Sequence, residues 1–413
     1  MTARTVTIES IGAQGDGVAT VDGNPVYVGY GLPGETAKIE QDGSKSRLVA
    51  IDTPSPDRAK PPCPHFGPDG NRCGGCALQH LEIGAYHSWK AGLVANALAA
   101  RGIETAIADM IPCAPGQRRR AVFTARAIKD RTLFGFHESG THRIVDIGSC
   151  TVLSDGIVSE LAKLRAIAGL FARGGKPVRM TVLESLTGLD ISVDGISKLP
   201  EKRQRQAVDL TLNHGFARLC LGSETLVEAR RPVLQFAGTN VEPPPGSFVQ
   251  ASAHAQERMI AIVTGYLQGS KSAADLFCGC GTFALALARQ SAVLAVESSA
   301  PALAALDHAA RHTQGLKPLR TERRDLFRRP MMANELKKTD AVVFDPPRAG
   351  AQAQATELAA SNVQKIAAVS CNPATLARDL RILIDGGFRL TSVTPIDQFL
   401  WSPHVEAIAL LER

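Results

Sequence analysis

No apolar run in this chain is long enough to cross a bilayer. The opening residues, Met1 to Glu9, lack an apolar signal region, so a cytoplasmic protein with no membrane partner is the default expectation. Internal repeats are absent, which sets aside repeat architectures. A strong excess of one charge is also missing. The net charge of +6 and pI of about 8.9 suit a polyanionic partner without requiring one. The cysteine count of nine is odd, and disulfides are not expected in a reducing compartment. Metal binding or catalysis is the better use for those that cluster. What the chain does have is length: 413 residues with 44% hydrophobic content suffice for two or three domains with sizeable cores.

Residues 3–52 run in short alternating stretches broken by glycine, such as Val6-Thr7-Ile8-Glu9 and Val18-Ala19-Thr20-Val21. They predict a small OB-like β-barrel over 1–55. The Pro-rich stretch 53–64 reads as a linker. Residues 82–101 have helical spacing, with Ile83, Tyr86, Trp89, Leu93, Ala97 and Ala100 on one side. Residues 118–235 predict a mainly β region with one helix at 154–173. From about 250 the pattern is α/β, with strands at 273–277, 293–296, 341–344 and 366–370. Helices lie between them at 282–289, 300–313, 352–361 and 373–386. That alternation predicts a parallel, doubly wound, Rossmann-like sheet. The resulting division is 1–55, then 60–78 joined with 113–240, then 79–112 joined with 241–413.

Asp275-Leu276-Phe277-Cys278-Gly279-Cys280-Gly281-Thr282-Phe283 closes a strand and opens a helix. Its glycines let the backbone approach a ligand and turn sharply. Glu297 ends the next strand, where an acid can accept from both ribose hydroxyls. A lone Gly-x-Gly is usually an ordinary β–α turn, but Glu297 and a later Asp325-Leu326-Phe327 add weight. The third glycine of a dinucleotide site is missing. The segment resembles the first motif of S-adenosylmethionine-dependent methyltransferases. That resemblance implies Glu297 on the ribose, Asp325 at the adenine edge, and Phe277, Thr282 and Asp345 on the methionine side.

Downstream, Ser370-Cys371-Asn372-Pro373 follows Asp345-Pro346-Pro347-Arg348. A thiol at a strand end over a cofactor pocket suggests covalent catalysis on an electrophilic ring. Carbon 5 of uracil is too weak a nucleophile to attack a sulfonium methyl. Thiolate addition at carbon 6 makes it nucleophilic. The carbon 5 proton must then leave before the thiol can, which requires a base; Glu406 is the candidate. The plainer alternatives are a buried core cysteine and a surface carboxylate. The segments from Asp345 to Gly350, Ser370 to Asp379 and His404 to Glu406 resemble the RNA uridine-5-methyltransferases. Phe248-Val249-Gln250 resembles the segment of that family whose Gln contacts cofactor and target base. Arg348 stands where an amino-methyltransferase would show an aromatic residue.

Cys63, Cys73 and Cys76 lie close together, and Cys150 follows a separate strand region. Four thiolates suit an iron–sulfur cluster or a structural zinc, and ligand count alone leaves the two close. The pattern resembles the four-iron cluster site of a subset of the uridine methyltransferases, which implies a [4Fe-4S] group. The stretch from Pro68 to Asn71 looks like a turn insertion relative to that family. Cys113 and Cys220 read as core residues.

Arg118, Arg119, Arg120, Arg126, Lys129, Arg131 and Arg143 crowd one short region beside Phe123, Phe134, Phe136 and His137. Such a run can neutralise phosphates while aromatics stack bases, or it can be a solvated sheet face. The N-terminal barrel resembles the TRAM-type RNA-binding domain of RNA-modifying enzymes. By family resemblance, a member with both barrel and cluster acts on 23S rRNA and is a monomer. The alternatives are a tRNA uridine-5-methyltransferase and a non-catalytic RNA-binding assembly factor.

Overall fold

The run Ala341-Val342-Val343-Phe344 is apolar at every position, the mark of a strand covered on both faces. In the computed structural model, which describes residues 2–42, 45–68, 72–172 and 175–413, this run is the middle strand of a seven-stranded sheet. The order is Leu319–Arg323, Ala292–Glu297, Ser272–Leu276, Ala341–Phe344, Lys365–Ser370, Glu406–Glu412, Arg389–Ile396. The first five run parallel. Glu406–Glu412 is antiparallel to both its neighbours. One apolar cluster, around Val263, Leu306 and Val343, fills one face; another, around Leu98, Val342 and Leu380, fills the other. The winding direction reverses between Ser272–Leu276 and Ala341–Phe344. Ligands bind beyond the strand ends at such a point.

The strands expected at 273–277, 293–296, 341–344 and 366–370 are present within a residue. Three further strands were not anticipated. Leu319–Arg323 is an edge strand with one apolar residue. Glu406–Glu412 is rich in Ala, Leu and Glu, which favour helix, and pairing on both sides overrides that preference. The third, Arg389–Ile396, is mostly polar over its first six residues and carries a proline at 395, so it does not read as a buried strand. The helix Ala253–Tyr266 was also missed.

The central region forms a second seven-stranded sheet, from Glu224–Glu228 at one edge to Ile144–Asp146 at the other. Its expected helix is broken into Asp155–Val158 and Leu161–Phe171. A further helix, Glu201–Asn213, buries only Ala207 and Thr211, so its sequence carries no apolar stripe to announce it. At the N-terminus six strands form a sheet around Val6, Ile8, Val26, Val28 and Ile39. The Glu9 amide donates to the Val18 carbonyl at 2.8 Å and curls that sheet. The Pro-rich stretch behind it is pinned: Arg58 donates to the buried Glu35 carboxylate and to the Tyr30 carbonyl.

Helix Ile83–Ala99 buries Tyr86, Lys90, Val94 and Leu98, a face rotated from the expected one, and Ile83 is exposed. Counting apolar residues alone missed the lysine. Its ammonium meets the Asp397 carboxylate and donates to the Phe399 carbonyl at 2.9 Å. The Tyr86 hydroxyl donates to Asp397 at 3.0 Å and accepts from the Trp401 amide at 2.6 Å. Helix and loop 397–401 are therefore one buried polar unit. Lys90→Met leaves Asp397 with Tyr86 and the more distant His87 only. The expected loss is about 3–5 kcal/mol of stability, read as a lower urea midpoint. An unchanged midpoint would show that the pair contributes nothing.

Candidate active site

The parallel strands all end at one edge, and the expected site residues stand there. Phe277 follows Ser272–Leu276, Glu297 closes its own strand, Asp345 follows Phe344 and Cys371 follows Ser370. Glu406 joins them because its strand runs the other way and begins where the others stop; Ser370 pairs with Ala407. With Gln250, Thr282 and Asp325, these residues line one cavity of about 630 Å³.

The cavity floor is a strained turn. Phe277 has φ 63°, a conformation that costs a non-glycine residue about 1–3 kcal/mol and clusters at functional sites. Gly281 has φ 94°, and a Cβ there would lie 2.4 Å from the Leu306 side chain, so glycine is required. The Gly279 amide donates to Glu297 Oε2 at 3.2 Å. The amides of Ser298 and Ser299 donate to Glu297 Oε1 at 2.7 and 2.8 Å. That carboxylate is oriented along the wall. The Phe277 and Phe327 rings stand 5.4 Å apart, and Asp325 accepts from the Phe327 amide at 3.0 Å.

A chain of amides joins the two deeper carboxyls. Gln250 Nε2 donates to Asp345 Oδ2 at 2.9 Å. Gln398 Nε2 donates to Gln250 Oε1 at 2.9 Å and to Glu406 Oε2 at 2.5 Å. Burial raises the Glu406 carboxyl well above its ordinary range, and the neighbouring Asp345 adds to this. Burial also pushes Asp345 up to about 7, against the Gln250 hydrogen bond. The Cys371 thiol is pushed up to about 11 by burial, then by Glu406 and Asp345, with Arg348 opposing. Cys371 also borders a second, outer cavity of about 760 Å³ that includes Gln14, Trp89, Leu93 and His404. The thiol thus stands between an inner pocket and an outer groove.

Sequence reasoning missed Gln398. It lies beside Asp397 in a stretch without a recognised motif, and nothing in the local pattern singles it out. The basic run needs correction. Arg119 is buried and donates to the Gln250 carbonyl at 3.2 Å and to Gln256 at 2.8 Å. Arg120 donates to the carbonyls of Ser247 and Gly246. Arg118 lies over the Phe399 ring, 6.0 Å from its centroid. Arg119 and Arg120 hold the segment carrying Gln250, and Arg118 donates to the Arg120 carbonyl. Phe123 and Phe134 are core residues stacked 4.6 Å apart and cannot stack bases. Arg126, Lys129, Arg131, Arg143 and His137 remain exposed.

Cys63, Cys73, Cys76 and Cys150 line one cavity of about 220 Å³ with His65, Gln79 and Arg118. Among the described residues, no group of three or more His, Cys, Asp or Glu is close enough to hold a metal ion. Burial and the surrounding thiols push Cys73 up to about 11 and Cys76 up to about 12. Of the inserted turn, Asp69, Gly70 and Asn71 lie outside the described residues. Cys113 and Cys220 are buried, as expected. No helix among the described residues is long and apolar enough to cross a membrane.

Residues 199–413 match the family model for tRNA (uracil-5-)-methyltransferases. An uncharacterized RNA methyltransferase of Agrobacterium fabrum is 52% identical over 416 residues, covering 100% of both chains. The 23S rRNA (uracil(1939)-C(5))-methyltransferase RlmD of Pectobacterium atrosepticum is 30% identical, over 98% of this chain and 93% of its own. The crystal structure of the Pyrococcus abyssi tRNA (uracil-54, C5)-methyltransferase in complex with S-adenosyl-L-homocysteine aligns with a TM-score of 0.73 at 21% identity. It covers 99% of this chain and 100% of the other, which establishes a shared fold. With its strand-end cysteine, buried carboxyls and cofactor cavity, the chain belongs to the tRNA (uracil-5-)-methyltransferase family of S-adenosylmethionine-dependent RNA methyltransferases.

Proposed function

We propose that the enzyme methylates carbon 5 of a uridine in 23S rRNA through a covalent adduct on Cys371. The observation that carries this is the meeting of Cys371 and Glu406 at one cavity wall, from strands of opposite direction. S-adenosylmethionine, when bound, supplies an electrophilic methyl. The cavity fits such a cation, since Glu297, Asp345 and Glu406 line it and Asp275 lies buried nearby. Glu297 and Asp325 would hold the ribose and adenine ends, and Phe277, Thr282, Asp345 and Gln250 the methionine end. The Cys371 thiolate adds to carbon 6, and the C5=C6 π electrons make carbon 5 nucleophilic. After carbon 5 takes the methyl, Glu406 removes its proton. The C–H electron pair re-forms C5=C6, and the C6–S pair returns to sulfur. A cation bound beside Asp345 would offset the two carboxyls that add to burial in raising the Cys371 thiol.

The ribosomal target is supported by the 30% identity with RlmD over nearly the whole chain. The exposed Arg126, Lys129, Arg131 and Arg143, with the curled N-terminal sheet as a TRAM-type barrel, provide RNA-binding surface. Labelled methyl from S-adenosylmethionine is expected in 5-methyluridine of unmodified 23S rRNA, and Cys371→Ala is expected to abolish it. Label in tRNA alone would overturn the target. RNA binding without label would favour an assembly factor.

The cysteine cavity supports a [4Fe-4S] group over zinc. Four cysteines from two separate stretches of chain line one cavity of about 220 Å³, room for a group larger than a single ion. Anaerobically purified protein is expected to carry about four iron and four sulfide per chain, reduced in Cys76→Ser. One zinc per chain and no sulfide would refute this.

A further inference from the structure

The polar chain beneath Cys371 has a direction, and a single backbone amide sets it. The Ala251 N–H can only donate, and it donates to Gln398 Oε1 at 3.2 Å. The Gln398 carboxamide therefore cannot be flipped, and its NH2 group faces the other way. Its two hydrogens are used on Gln250 Oε1 and Glu406 Oε2. Gln250, accepting through its oxygen, must donate through nitrogen to Asp345 Oδ2. Every bond in the chain is thus assigned without reference to where hydrogens are drawn.

Two consequences follow for the carboxyls. Glu406 Oε2 is an acceptor and cannot also carry a proton toward Gln398. Glu406 Oε1 is buried with no hydrogen-bond partner among the described residues, and Glu406 lines the cofactor cavity. A buried, unpartnered oxygen is costly unless something occupies it during function. We propose that Gln398 is the positioning residue that assigns proton acceptance to Oε1 of Glu406 and ties that carboxylate to Gln250 and Asp345. This rests on the reading of Glu406 as the base.

In the elimination step the carbon 5 proton passes to Oε1. The electrons of that C–H bond form C5=C6, the C6–S bond breaks, and its pair leaves on Cys371. Gln398 supports the ionised carboxylate before the step through a charge-assisted hydrogen bond. The titratable and charged groups around Glu406 are Asp345 and Cys371, with Arg348 beyond the thiol and His404 two residues before it. Asp345 disfavours a second negative charge, so the Gln398 bond is the main counterweight among these side chains.

The test is single-turnover methylation of RNA by the full-length, cluster-containing protein, following denaturation-resistant protein–RNA adduct that carries labelled methyl. Gln398→Met keeps the volume and removes both donors. Its adduct is expected to decay about 10- to 100-fold more slowly, the effect of losing a hydrogen bond to a charged group, while formation slows far less, by the loss of the tie to Gln250 alone. Without that bond the carboxylate is harder to ionise, so the rising limb of decay rate against pH moves to higher pH. Unchanged decay, an unmoved pH limb, or formation slowed as much as decay would each overturn the proposal. If Gln398→Met does not fold, Gln398→Leu gives the same readout: it also removes both donors and adds no charge. Glu406→Gln is run alongside. Accumulation of methylated adduct there, with normal decay in the Gln398 variants, would sink the role of Gln398 alone. No adduct in Glu406→Gln would sink the assignment of the base itself.

Discussion

The pairing of Glu406–Glu412 between Lys365–Ser370 and Arg389–Ile396 is the constraint on which the catalytic arrangement depends. A strand that ran with its neighbours would present its last residue at the pocket edge. Running against them, it presents its first. The pairing also fixes register, and in a strand a slip of one residue turns every side chain to the opposite face. Alternate residues of Glu406–Glu412 serve two different apolar clusters, with Ala407 and Ala409 on one side and Ile408 and Leu410 on the other. Core packing on both faces therefore enforces the position of a carboxyl group at the strand's first residue.

Beneath that edge, the buried polar groups serve one another. Lys90 and Asp397 hold the start of the loop, Gln398 follows at once, and Trp401 is tied back to Tyr86. Arg119 and Arg120 grip the opposite segment at 246–250. Gln250 and Gln398 meet between the two anchored segments. Neither amide could hold its angle on a free loop. The helix at 83–99 and the central sheet thus contribute to a site whose Asp345, Cys371 and Glu406 all stand at the edge of the C-terminal sheet.

Much of this was legible in the sequence because local chemistry demanded it. The glycine turn at 279–281, the acid at 297 and the Asp-Pro-Pro and Ser-Cys-Asn-Pro turns each mark a backbone that must bend at a strand end. All eight expected active-site residues line one cavity, and the four clustered cysteines line another. What could not be read was set by long-range pairing. Glu406–Glu412 has helix-forming composition, Lys90 is a charge that only Asp397 explains, and Gln398 is informative only beside Ala251 and Gln250. The arginine run was misread because three basic residues in a row look solvated until their backbone partners are known.

Those inward-turned arginines change how the chain meets an electrolyte. Formal charge counts every guanidinium, but a polyanion senses only those it can reach. Each phosphate neutralised on nucleic acid releases counterions and steepens the dependence of affinity on salt. Arg118, Arg119 and Arg120 are engaged with backbone carbonyls or packed against protein groups, while Arg126, Lys129, Arg131 and Arg143 face solvent. Of seven cations in this stretch, four can displace ions from a phosphate backbone, and ionic strength loosens contacts of that smaller set while leaving the grip on Gln250 intact.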